Sequence, residues 1–273
     1  YRVMGPVRVV NAAVIQRQHD GYGSIILTAA QMFYDERLPN IGDLDLYRQL
    51  RPIGDLAAAS ALAPDAGLWE YRGRTGVHTH SAAMCWAAIH RLGLIAGRVG
   101  EMEDRDRWLR QAADLREIIL ARATSATDGW IAGAFDSDVC DAAVLTLPEI
   151  GLLRHDDPRF LRTMEVVEER LMHEGFLLRY NEPDDFGKPE TAFLVCSWWF
   201  IDALVATGRR EQAKEMFDRI LTHRNHLGLL SEDLDGRNGV LWGNFPQSFS
   251  MVGMILSAMR ISRTWEEGLW RAS

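Results

Sequence analysis

Residues 78–123 read HTHSAAMCWAAIHRLGLIAGRVGEMEDRDRWLRQAADLREIILARA. The first half is apolar around its whole circumference. After the short break at Arg98 to Glu101, the second half is a charged amphipathic helix. The pairing recurs. Strongly apolar segments are centred near residues 89, 143, 199 and 254, about 55 residues apart, and charged helices over about 102–123, 158–173 and 210–224 follow the first three. An earlier pair covers about 10–35 and 43–62. Within these helices apolar residues fall on one face, as in Phe160, Met164, Val167 and Leu171, or Ala213, Met216, Phe217, Ile220 and Leu221. No β alternation runs for more than a few residues, so the class is all-α. Helices that are apolar all round belong inside, and their charged partners face water. Such a two-shell ring is an α/α toroid, whereas open solenoids have shorter periods of roughly 34–47 residues. The pattern contains about nine helices, and a closed (α/α)6 ring needs twelve. The reading is an incomplete toroid in a single domain over 1–273.

Composition narrows the function. The net charge is −8, which argues against an electrostatic nucleic-acid face. The longest apolar run, 193–206, is too short to span a bilayer and contains Asp202. Cys85, Cys140 and Cys196 are odd in number, widely spaced and set in apolar runs. They read as buried free thiols of a reducing, cytoplasmic compartment.

The helix connections are unequal in length. Those over 63–78, 176–190 and 226–246 are long and aromatic, while the reverse turns are short, so one face of the ring is elaborated. Two carboxylates stand on that face beside large apolar residues: Glu70 in Leu68-Trp69-Glu70, and Glu232 in Leu229-Leu230-Ser231-Glu232. A pair of carboxylates across one pocket is what acid/base hydrolysis of a sugar bond requires. A glutamate pressed against an indole resists ionisation, which would keep Glu70 protonated as the acid. Inverting enzymes set the pair roughly 6.5–9.5 Å apart to admit a water.

Seven blocks in order make the chain similar to a known family: PVRVVNAAVIQRQHDGYGSIILTA (6–29), PDAGLWEYRG (64–73), HTHSAAMCWAAIHR (78–91), RYNEPDDFG (179–187), ETAFLVCSWWFIDAL (190–204), HRNHLGLLSED (223–233) and GNFPQSFSMVGMI (243–255). It resembles glycoside hydrolase family 15, the glucoamylases and trehalases, especially the bacterial members. The resemblance implies an (α/α)6 barrel, inversion of configuration and no cofactor. It implies Glu70 as general acid, Glu232 as general base, Trp69 as a wall of the innermost sugar subsite and Arg179 as a holder of sugar hydroxyls. Arg72 and Trp242 are further candidate substrate contacts. It also implies a β-sandwich and the first barrel helices upstream, supplied by the same protein or replaced by a second copy. Helices 10–35 and 247–264 should then expose apolar faces. Tyr71 stands where many members carry a second acidic residue. The first functional expectation is an exo-acting, glucoamylase-type enzyme releasing glucose from α-glucosides. The alternatives are a trehalase with the same glutamate pair and, from another class, a non-catalytic carbohydrate-binding or regulatory module.

Plainer roles compete for several residues. Glu70 could cap a helix or pair with Arg72, and Arg179 could pair with Asp184 or Asp185. His78 and His80 lack a third ligand, and no metal site is expected. Asp233, Asp235 and Asn238 lack the glycine placement of a calcium loop and read as a turn. Trp198 and Trp199 read as core.

Overall fold

The computed structural model describes residues 12–71, 73–184 and 187–263. It contains eight α-helices: α1 (Asp20–Tyr34), α2 (Leu44–Ser60), α3 (Thr79–Arg98), α4 (Met102–Ala123), α5 (Pro158–Leu171), α6 (Leu194–Ala206), α7 (Arg210–Leu221) and α8 (Ser248–Ser262). Short strands lie between them: β1 (Met172–His173), β2 (Phe176–Leu177), β3 (Ala192–Phe193), β4 (Asp233–Asp235) and β5 (Val240–Trp242). The pair β1–β2 is an antiparallel hairpin, and β3, β4 and β5 form an antiparallel sheet in that order.

The two shells are present. In α3, fourteen of twenty residues are buried, against six of twenty-two in its charged partner α4. In α6, ten of thirteen are buried, against three of twelve in α7. α3 packs on α1, α2 and α4, while α6 packs on α7 and α8. The approach of α1 to α3 depends on Gly23, where any Cβ would run into the Met84 carbonyl oxygen. Asp157 starts α5 by accepting a hydrogen bond from the Arg159 N–H, with Pro158 at the first helical position.

Two expectations are corrected. The apolar segment near 143 is not an α-helix but a five-residue 3₁₀ turn, Ala142–Thr146, although every residue in Ala142–Leu145 is buried. Asp141 caps the turn, and Pro148, which has no N–H to donate, follows it at once. The first helix begins at Asp20 rather than near 10: residues 12–15 form a 3₁₀ turn, and Arg17 gives its carbonyl to Ala66 instead of to a helix. α8 has the composition of an inner helix, but only Ser250, Ser257 and Arg260 are buried. Phe249, Val252, Ile255 and Leu256 are exposed on it, as is Ile25 on α1. That is the apolar exposure expected for these two helices.

All three cysteines are buried and unbridged. No described helix is long and apolar enough to cross a membrane.

One buried ionic cluster pins α8 to α6. Arg260 lies between Asp202 (2.8 Å) and Glu149 (2.5 Å), and Ser257 donates to Asp202 at 2.7 Å. Two carboxylates share one guanidinium, and burial pushes Asp202 up to about 7. In the unfolded chain Asp202 titrates near 4. The folded state therefore holds a proton that the unfolded state has lost between these values, and the contribution of Asp202 to stability falls as pH rises from about 4 to about 7. Denaturant unfolding of the parent chain and of Asp202→Asn, which leaves one carboxylate per guanidinium, should differ across this range by that slope, the parent losing stability relative to the variant as pH rises.

Candidate active site

Glu232 is fixed by its main chain before its side chain does anything. Its N–H donates to the Asn244 carbonyl (2.9 Å), and its own carbonyl accepts from Leu194 N–H, the first residue of α6 (3.0 Å). Behind it, Ser231 and Leu230 are fully buried, and Ser250 on α8 donates to the Ser231 carbonyl at 2.6 Å. The Glu232 carboxylate then accepts two bonds on Oε2, from the Asn244 N–H and side-chain amide, both 2.9 Å. Gly243 makes this possible. Its φ is +75°, and a Cβ there would sit 2.6 Å from Glu232 Oε2.

Glu70 stands on the 65–71 loop. The loop closes through Tyr71 N–H to Ala66 O (3.0 Å) and Glu70 N–H to Gly67 O (3.2 Å). Glu70 itself is left-handed, with φ +56°. Such a conformation costs a non-glycine residue about 1–2 kcal/mol. The expected burial of Glu70 against the indole is not found. Glu70 is exposed, and Trp69 turns away from it, into a nest of Tyr180, Phe193 and Trp199 rings with centroids 5.8–6.2 Å away. The Trp69 indole N–H donates to Asp141 at 2.8 Å.

Glu70, Glu232, Trp69 and Arg179 line one cavity of about 410 Å³, together with Leu68, Tyr180, Asp184, Phe193, Val195, Trp199 and Phe249. The size falls in the ~300–1,000 Å³ range of small-ligand sites. The mix of rings and charged groups suits a ligand with apolar faces and many hydroxyls. Arg179 pairs with Asp184 (3.5 Å), one of the two plainer partners offered by the sequence, and also lies over the Tyr180 ring, 5.1 Å from its centroid, while still lining the cavity. Trp242 is not in this cavity. It lies half-exposed on β5 and lines a neighbouring hollow with Glu190, Asp233 and Arg237. Arg72 lies outside the described residues.

Sequence reasoning missed several members. Trp199 lines the cavity while Trp198 is core, because consecutive helical residues face different ways. Asp141 had no motif to mark it. It holds the Trp69 indole and caps the Ala143 N–H (2.8 Å). Burial pushes its carboxyl up to about 6, although those two N–H groups and the charges of Arg74 and Arg179 pull the other way. Asp233, read as part of a turn, is a strand residue that lines the neighbouring hollow. Burial pushes it up to about 7, against the pull of Arg179 and with the Glu232 charge adding to the effect. Asp235 ends the same strand, and the turn follows it over 236–239, with Asp235 accepting from Arg237 and Asn238. Tyr71 is buried, stacked on His78 and covered by the Arg74 guanidinium at 3.9 Å. Burial lowers the imidazoles of His78 and His80, the latter to about 4. Among the described residues no three His, Cys, Asp or Glu side chains are grouped to hold a metal.

Asp141→Leu removes the acceptor for two N–H groups. In denaturant unfolding it should lower stability by about 1–3 kcal/mol. Asp141→Asn, which keeps an acceptor oxygen, should lose clearly less.

Comparison with known proteins places this geometry. The sequence matches the model for glycosyl hydrolases family 15 over residues 1–259. It is 32% identical to a trehalase of Thermoplasma volcanium over 272 residues, covering 98% of this chain and 42% of that protein. It is 33% identical to a trehalase of Mycobacterium tuberculosis over 270 residues, covering 96% and 38%. The chain thus spans about two fifths of the length of these curated relatives. Among solved structures, a glucoamylase from Saccharomycopsis fibuligera superposes with a TM-score of 0.76 at 12% identity, covering 90% of this chain and 70% of that one. A bacterial glucoamylase complexed with acarbose superposes at 0.72 and 16% identity, covering 91% and 41%. At such identities the likeness is one of fold, and the fold is the α/α toroid. With the sequence match, the assignment follows: this chain belongs to glycosyl hydrolases family 15.

Proposed function

We propose that the chain carries the acid/base pair of an inverting, exo-acting α-glucosidase, with Glu70 as general acid and Glu232 as general base. The observation that carries this is the single cavity lined by both carboxylates, contributed by loops far apart in sequence. Glu70 gives its proton to the glycosidic oxygen as the bond from that oxygen to C1 of the sugar breaks. A water attacks C1 from the opposite face and passes its proton to Glu232. The products are a free alcohol and one glucose of inverted configuration, so atoms and charge balance. Both Asn244 bonds fall on Oε2 of Glu232, which leaves Oε1 as the oxygen to receive the proton. Glu70 is exposed where it lines the cavity, and a bound sugar would cover it. Trp69 and Trp199 would stack on sugar faces, and Arg179 would hold hydroxyls.

Trehalose is the substrate we favour over maltodextrins, because the curated relatives at 32–33% identity are named trehalases. Both substrates use the same pair. The remainder of the pocket would come from an upstream segment of the same polypeptide, or from a second copy, packed on the apolar stripe of α8.

Proton NMR of trehalose and maltotriose incubated with the longest gene product carrying this sequence tests the reading. Trehalose should give one α- and one β-glucose initially. Glu70→Gln and Glu232→Gln should each lower kcat by about 10²–10⁴-fold while sugar binding persists. No glucose from either sugar would defeat it and favour a non-catalytic sugar-binding module, and release of α-glucose alone would defeat the inverting mechanism.

A further inference from the structure

We infer that Gln16 is a positioning residue for Glu70, holding the acid loop in its left-handed conformation through the backbone. The inference rests on the reading of Glu70 as general acid. Gln16 follows the first 3₁₀ turn and reaches across to a loop more than fifty residues away in sequence. Its side-chain amide donates to the Glu70 carbonyl (3.0 Å) and to the Tyr71 carbonyl (2.9 Å). These two oxygens belong to the two peptide units that follow Glu70. Gripping both fixes the exit of the chain from the one residue whose φ is +56°. The amide orientation is dictated by this contact, since its oxygen turned the same way would face two carbonyl oxygens.

Neighbouring residues make the contact part of a clamp. Arg17 O accepts from Ala66 N–H (2.9 Å), Gln18 Nε2 donates to Gly67 O (3.3 Å), and His19 N–H donates to the Asp65 carboxylate (2.9 Å). Asp65 is buried and anchored again by the Ser81 hydroxyl at 2.7 Å. Residues 16–19 thus run alongside 65–71 and meet it at each step. Among the described residues, Gln16 is the one of the four that bonds beyond Trp69, at Glu70 itself. It carries no charge and does not line the cavity that holds Glu70 and Glu232. Its effect on the reaction would be geometric and confined to proton delivery.

A leaving group that needs no proton separates this role from general disruption. α-Glucosyl fluoride departs as fluoride anion, while a disaccharide must be protonated at the bridging oxygen. In the longest gene product, Gln16→Met keeps the side chain's length and loses both donors. We expect it to lower kcat on the disaccharide about tenfold to a hundredfold, the scale of a small misplacement. KM should change little, and hydrolysis of α-glucosyl fluoride should be spared. Gln16→Glu, which sets a carboxylate against two carbonyls, should show the same selectivity more strongly. Melting curves for both variants report folding. Equal loss on both substrates, or no loss on either, would overturn the inference. Glu70→Gln is the control. If it too fails to discriminate between the substrates, the assignment of Glu70 as acid falls, and the inference with it. If it discriminates and neither Gln16 variant does, the inference alone falls.

Discussion

The hydrogen bond from the Leu194 N–H to the Glu232 carbonyl is where the scaffold and the chemistry meet. Leu194 opens α6, which is buried on nearly every side, and Glu232 immediately precedes β4. A deeply packed helix is hard to displace, because any shift opens gaps that close packing does not tolerate. Glu232, the proposed base, inherits that stiffness, and Asn244 and Gly243 then set the direction of its carboxylate. Such preorganisation is what lets a charged group act without first being reoriented.

Glu70, the proposed acid, is held differently. It sits in a turn, in a strained conformation, and its support comes from a strip of chain laid beside the loop rather than from a helix. Two further carboxylates, Asp141 and Asp233, are favoured in their neutral forms by burial; Arg179 opposes this at both, and Arg74 opposes it at Asp141 as well. Arg179, the guanidinium common to both, is itself paired with Asp184.

The fold was legible because burial leaves a compositional trace. Helices α3 and α6 are apolar all round, and their partners α4 and α7 are charged on one side. The same trace misled at 142–146, where apolar composition reported burial but not helix, and a capping aspartate and Pro148 decided the backbone. Glu70, Glu232, Trp69 and Arg179 were legible through family motifs and do share a cavity. Asp141 was not, because its importance comes from meeting an indole across 72 residues of chain, and no local pattern encodes that. Nor was the exposure of Glu70. Adjacency to a tryptophan in sequence says nothing of whether the two side chains share a direction. Trp69 went inward, drawn by three rings and an acceptor, and Glu70 went out.

Phe249 has two memberships. It lines the cavity that holds both glutamates, and it begins the exposed stripe that continues along α8 through Val252, Ile255 and Leu256. Whatever packs on that stripe and whatever ligand fills the cavity must share this side chain. Two binding events that share a side chain are thermodynamically linked, and the linkage is reciprocal. If covering the stripe fixes Phe249 in the rotamer a ligand needs, that ligand will in turn tighten the packing on α8 by the same factor. Assembly and recognition in this molecule are then two readings of a single coupling free energy.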